Sequence, residues 1–154
     1  MVWRRLTNHE ELIMSVARTL DAPAASLNSA NVAAVLGRVL IATIFVLSGL
    51  SKLTAVAGTM GYIAAAGLPL APVALAVAVA VEVVGGIALI VGYKTRWVAA
   101  ALALFSVVTA LAFHNNLADQ NQFIHFFKNI AMAGGLLQIV AFGGGALSLD
   151  ARKR

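Results

Sequence analysis

The chain has 154 residues, with 11 Lys and Arg against 6 Asp and Glu and a net charge of +5. Charged residues make up 11% of it and AVILMFWYC residues 61%, where a soluble domain has about 25% charged and roughly half apolar. A chain this short has too little interior to hide so many apolar residues, which argues against a soluble globular protein and excludes a disordered one. The absence of cysteine excludes disulfides, thiolate metal sites, iron–sulfur clusters and thiol relays within the chain.

Residues 1–32 read as an N-terminal extension. Leu6, Leu12, Ile13, Val16, Ala17 and Leu20 form a helical stripe, and Thr7 and Glu10 have capping-box spacing. With Arg4, Arg5 and Arg18 nearby, two readings stay open: a short amphipathic helix on the inner leaflet and a loosely ordered extension. There is no continuous apolar core of the kind a signal peptide needs.

A transmembrane domain over 33–148 follows, with spans predicted at 33–53, 72–92, 97–114 and 123–142. A spanning helix needs about 20 largely apolar residues, and these segments meet or approach that length. They lack the apolar/polar alternation of barrel strands. The link Thr54–Ala71 holds Gly67-Leu68-Pro69 and the apolar stretch Tyr62-Ile63-Ala64, which predicts a short helix at the outer surface, capping the bundle. Pro72 suits a first helical turn. Gly92 and Gly143-Gly144-Gly145 suit helix ends. Gly49, Gly85-Gly86 and Gly134-Gly135 suit close helix packing. Residues 149–154 read as a basic tail.

Arg4, Arg5, Arg18, Lys94, Arg96, Arg152, Lys153 and Arg154 lie before the first span, between spans two and three, or at the C-terminal end. The other two connections carry no Lys or Arg. The positive-inside rule then puts both termini in the cytoplasm, and an even number of spans agrees. The expected fold is all-α: an integral membrane four-helix bundle.

An ionisable residue inside a span is costly and marks a functional site by default. Glu82 lies about 15 Å from the outer end of its span, near the midplane. Arg38 and Lys128 are each roughly 7–8 Å from it along the membrane normal, within reach of long side chains. A buried ion pair that fixes helix register and a direct substrate or proton role both remain open for this set. Lys52 ends the first span, where it is expected to snorkel to the headgroups. His125, Lys128, Asn129 and Met132 share one helical stripe, and His114 ends the third span at the same outer level. Together they predict a polar pocket open to the outside with Glu82 at its floor. Arg38, Lys52 and Lys128 against Glu82 leave an excess of positive charge that would favour an anion, a polar headgroup, or a quinone whose oxygens accept hydrogen bonds. His114 and His125 have no nearby carboxylate except the loop residue Asp119, so no metal or haem site is expected. No phosphate loop or strand–GxGxxG–helix unit is present, and no nucleic-acid partner is expected.

The ordered set Gly37-Arg38, Phe45 to Leu53, Ala66-Gly67-Leu68-Pro69, Val81 to Gly86, Thr95-Arg96, Phe113-His114, Phe127-Lys128-Asn129 and Gly143 to Asp150 resembles the DoxX family of small bacterial membrane proteins. The resemblance covers roughly residues 33 to 150. It implies a multi-pass protein of the bacterial inner membrane, with Arg38, Glu82 and Lys128 as interior polar residues. The family name comes from a subunit of a thiosulfate:quinone oxidoreductase.

The leading functional expectation is a membrane subunit of a redox system holding a quinone or a small anion. Glu82 would handle protons, Arg38 and Lys128 would stabilise charge, and His114 and Asn129 would orient the ligand, with His125 and Lys52 beside them. Any enzymatic activity would need a partner, either soluble redox enzymes or a second membrane subunit. A non-catalytic anchor for soluble redox enzymes is the alternative. A small permease is a further one, and at this size it would have to oligomerise; no inverted repeat supports it. A homo-oligomer in the lipid bilayer is expected for the protein in any case.

Overall fold

A computed structural model of the chain describes residues 10–16 and 28–153. Residues 10–16 are helical, with Leu12, Ile13, Met14 and Val16 exposed. The rest of the amphipathic helix read over 6–20, including the cap at Thr7, lies outside the described residues.

Four long helices and one short one follow: α1 Ser29–Thr54, α2 Val56–Ala65, α3 Ala71–Val91, α4 Thr95–Phe113 and α5 Gln120–Phe142. All but α2 are long and apolar enough to cross a membrane. A 3-10 turn, Ala151–Lys153, ends the described chain. The short helix expected at Tyr62-Ile63-Ala64 is α2.

All four long helices begin earlier than the apolar runs that predict them, α3 by a single residue and the other three because capping groups outside those runs set their ends. The Asn28 side chain accepts from the Asn31 amide at 2.8 Å, which starts α1 at Ser29 rather than residue 33. Asp119 Oδ1 accepts from the Gln122 amide at 2.9 Å and starts α5 at Gln120 rather than 123. Each cap satisfies an amide that the first helical turn cannot.

The cap of α4 comes from the other end of the sequence. Asp150 Oδ1 accepts from the Lys94 amide at 2.8 Å, and Oδ2 from the amide and hydroxyl of Thr95, both at 2.7 Å. The Leu149 and Asp150 amides donate to the carbonyls of Val91 and Gly92. The basic tail read from residue 149 is therefore tied at its start to the α3–α4 turn. Replacing Asp150 with alanine removes these acceptors and should cost about 1–2 kcal/mol. Thermal unfolding in detergent will register this as a lower midpoint, with Asp150→Asn intermediate.

α1 and α3 cross at a pair of glycines. A β-carbon on Gly49 would lie 2.6 Å from Val83 Cγ2, and one on Gly86 would lie 2.6 Å from Val46 Cγ2 and 3.3 Å from the Ala42 carbonyl. Neither position has room for one, and the bare backbones allow the close approach.

The buried core consists of Ala42, Phe45, Leu89, Ala99, Leu102, Ala103, Ala133 and Leu136. Most of these lie toward the end of the bundle where α1 starts and α3 and α5 finish, here called the terminal end. Toward the opposite, loop end the same four helices enclose a cavity, and α2 lies over it.

Candidate ligand cavity

The cavity has a volume of about 670 Å³ and is lined from all five helices. This is within the roughly 300–1,000 Å³ of small-molecule sites. Most of its wall is apolar, including Phe45, Ile63, Val77, Phe105 and Val108. On α2, Tyr62 stacks on Phe113 with ring centroids 5.3 Å apart, and its hydroxyl donates to the Phe113 carbonyl at 3.4 Å. That contact joins α2 to the end of α4.

Glu82 forms the floor and is 4% exposed. It sits in a π-helical turn, Ala80–Val84, in the middle of α3. Such turns insert a residue into an α-helix and recur at functional sites. Lys52 Nζ donates to Glu82 Oε1 at 2.9 Å and to Ser48 Oγ at 2.7 Å, and Ser48 Oγ donates to Oε1 at 3.1 Å. Oε2 is 2.8 Å from the same ammonium, so both carboxylate oxygens face Lys52.

The partner of Glu82 is thus Lys52, not Arg38 or Lys128. Lys52 is near the end of α1, where snorkelling was expected, but its side chain follows the helix back toward Ser48, one turn earlier. The Gly49 crossing brings Glu82 to that same face: the β-carbon position of Gly49 is 3.1 Å from Glu82 Cβ. A carboxylate so close makes inward pairing better than a reach to the headgroups.

Arg38 is not at the cavity. It lies 2% exposed at the terminal end. There Nη1 donates to the carbonyls of Leu89 and Ile90 at 3.3 and 3.4 Å, and Nη2 to that of Leu147 at 3.2 Å. Two of these acceptors belong to the last turn of α3, where carbonyls lack helical partners and the helix dipole favours a cation.

The α5 residues line the cavity as a group: His125, Lys128, Asn129 and Met132. His114 stacks on His125 with centroids 5.0 Å apart, and its Nδ1 is 2.9 Å from Gln122 Oε1. Asn129 Nδ2 donates to the His125 carbonyl at 2.9 Å, one turn back along α5. Among the described residues Lys128 makes no hydrogen bond or ion pair, and no three His, Cys, Asp or Glu side chains converge as a metal site. With Arg38 elsewhere and Lys52 offset by Glu82, Lys128 carries the cavity's unbalanced positive charge.

Ser48 and Thr59 also line the cavity and were not singled out in the sequence, and Tyr62 was named there only as part of the capping helix. Ser48 was accessible to that reading, since it stands four residues before Lys52 on one helical face. The side-chain contacts of α2 were not, because nothing local shows which of its residues turn toward the cavity.

Fold and cavity together define a small multi-pass helical membrane protein with a cavity of small-molecule size between its helices. The DoxX family model matches residues 33–115, and the chain belongs to that family. It is 35% identical over 120 residues to the inner membrane protein YqjF of Escherichia coli, covering 78% of this chain and 91% of that protein. It is 32% identical over 122 residues to the inner membrane protein YphA of the same organism, covering 76% and 87%. A shorter likeness, 30% over 81 residues, links it to the ER-derived vesicles protein ERV29 of Saccharomyces cerevisiae, covering 49% of this chain and 26% of that protein. No solved structure matches the chain. Four membrane-length helices and the relatives' names agree on a multi-pass protein of the inner membrane.

Proposed function

We propose that the protein is a ligand-binding membrane subunit of a redox system, and that its cavity holds a quinone-type ring or a small anion. The observation that carries this reading is the placement of charge in an otherwise apolar chamber. A neutral ion pair lies at the floor, and an unpaired cation, Lys128, stands on the α5 wall beside His125 and Asn129. Apolar walls suit a ring, and the α5 donors suit its oxygens or an anion's. Glu82 is the group at the floor that would take up a proton or accept from a ligand hydroxyl, in exchange for part of its contact with Lys52. The chain has no cysteine, so electrons would come from a bound ligand or a partner. The Lys and Arg distribution puts the terminal end in the cytoplasm, so the cavity faces the outer side.

Titration of the detergent-solubilised protein with a short-chain ubiquinone and with thiosulfate tests this reading. One of the two should bind, and Lys128→Ala should weaken it at least about tenfold, the worth of one hydrogen bond from a charged group. Absence of binding by the wild-type protein, together with no small molecule carried through purification, would remove the reading in favour of an anchoring role. Net uptake of the anion by proteoliposomes would replace it with a permease.

A further inference from the structure

At the terminal end, far from the cavity, a groove of about 560 Å³ lies between the start of α4 and the end of α5. Its basic wall is Lys94 and Arg96. The Gly143-Gly144-Gly145 loop, Trp97 and Phe142 line it as well. The Arg96 side chain rests against the bare backbone of Gly143, whose β-carbon position is 3.4 Å from Nε. Arg96 forms no hydrogen bond or ion pair among the described residues. The carboxylate at the groove, Asp150, has both oxygens engaged at the start of α4. The Gly144 and Gly145 amides make no hydrogen bond among the described residues.

The depth of the groove in the bilayer selects its occupant. Trp97 and Phe142 are 80% and 79% exposed. They stand where one membrane-length helix begins and another ends. An exposed tryptophan at such a position marks the boundary between acyl chains and headgroups. The Lys94 ammonium lies 5.8 Å from the ring centre of Tyr93 at the same level, within cation–π range. A guanidinium with no counter-ion among the described residues, at headgroup depth and beside amides with no partner among them, is suited to a phosphate oxygen. The phosphates most abundant there are those of lipids. We propose that this groove binds the phosphate headgroup of an anionic phospholipid, with Arg96 as the principal contact, Lys94 and the glycine-loop amides beside it, and Trp97 and Phe142 against the acyl chains.

Native mass spectrometry of the full chain released from detergent tests the site. Phosphatidylglycerol, phosphatidylcholine and inorganic phosphate are titrated separately against the wild-type protein, Arg96→Gln and Arg96→Lys. The first phosphatidylglycerol should bind the wild-type protein about fivefold more tightly than phosphatidylcholine, the worth of one basic residue near an anionic surface. Arg96→Gln should abolish that preference, and Arg96→Lys should keep part of it. Circular dichroism of both variants reports the fold, which an exposed side chain without a partner should not disturb. Equal binding of the two lipids by the wild-type protein would overturn the proposal, as would a preference that survives in Arg96→Gln. Arg96-dependent binding of inorganic phosphate without a preference for phosphatidylglycerol would overturn the lipid assignment.

Discussion

Replacing Lys52 with methionine should destabilise the bundle by about 3–5 kcal/mol, the usual loss when one member of a buried ion pair is removed. The reason lies in what remains. Glu82 is 4% exposed, and without Lys52 its only hydrogen bond is the 3.1 Å one from Ser48. An isolated carboxylate at that depth either stays charged at high cost or takes up a proton, which limits the loss. Changing both residues, Lys52→Met with Glu82→Leu, should recover most of the stability, since an apolar pair of similar volume replaces an ion pair at little cost. The two single variants and the double variant form a cycle whose coupling separates the pair from the packing of either side chain. Unfolding titrations in mixed micelles provide the readout. A Lys52→Met protein as stable as the wild type would mean that the ammonium leaves for the headgroups and that the pair has no structural role. The double variant also bears on function, because it keeps the fold while removing the polar floor. If the floor serves the ligand, the recovered stability will not restore binding.

The second large effect is expected at the terminal end. Arg38→Leu should cost about 3 kcal/mol or more. Three carbonyls lose a charged donor, each such bond being worth about 1.5–3 kcal/mol at good geometry, and the distances of 3.2–3.4 Å argue for the lower part of that range. Some is regained because the Leu89 carbonyl also accepts from the Gly92 amide at 3.2 Å. Arg38→Lys should recover less than half, because a single ammonium cannot span acceptors on α3 and on the Leu147 segment as a planar fork does. Gly92→Ala should cause a loss of similar size with Arg38 intact. Gly92 has φ +73, and a β-carbon there would run into Arg38 Nη1 and lie 2.5 and 2.9 Å from Ser148 Cβ and Cα. Backbone strain and a clash with fixed main chain then add. Ligand titration of the Arg38 variants at a permissive temperature should match the wild type. A selective loss of binding with unchanged unfolding would return Arg38 to the functional set.

The two arginine and lysine results bear on how much of this protein is readable in its sequence. Glu82, Lys128, Asn129, His114 and His125 were legible as a cavity set, because each breaks an otherwise apolar run and helical spacing places it by depth. The pairing among them was not legible. Depth arithmetic treats helices as parallel rods and ranks partners by height alone. Arg38 and Lys128 then look as good as any, and Lys52 looks as if it belongs to the headgroups. One long-range fact reverses that ranking. The Gly49 and Gly86 crossing brings α1 and α3 together along the face that carries Ser48 and Lys52, where Glu82 meets them.

Hydropathy alone determined that the chain is helical, that four segments cross a membrane, and where each lies to within a few residues. An apolar run of that length has no other stable form in a bilayer, where every backbone group must find its partner inside its own helix. Family membership was also carried by the linear order of short motifs. Tertiary structure alone decided what the remaining charges do. It placed Asp150 on the start of α4, Arg38 on the end of α3, Lys52 on Glu82, and Tyr62 of the capping α2 on Phe113. Each of these contacts joins residues at least 30 positions apart. Such contacts depend on how closely two backbones approach and how they are turned, and no local spacing along the chain encodes either.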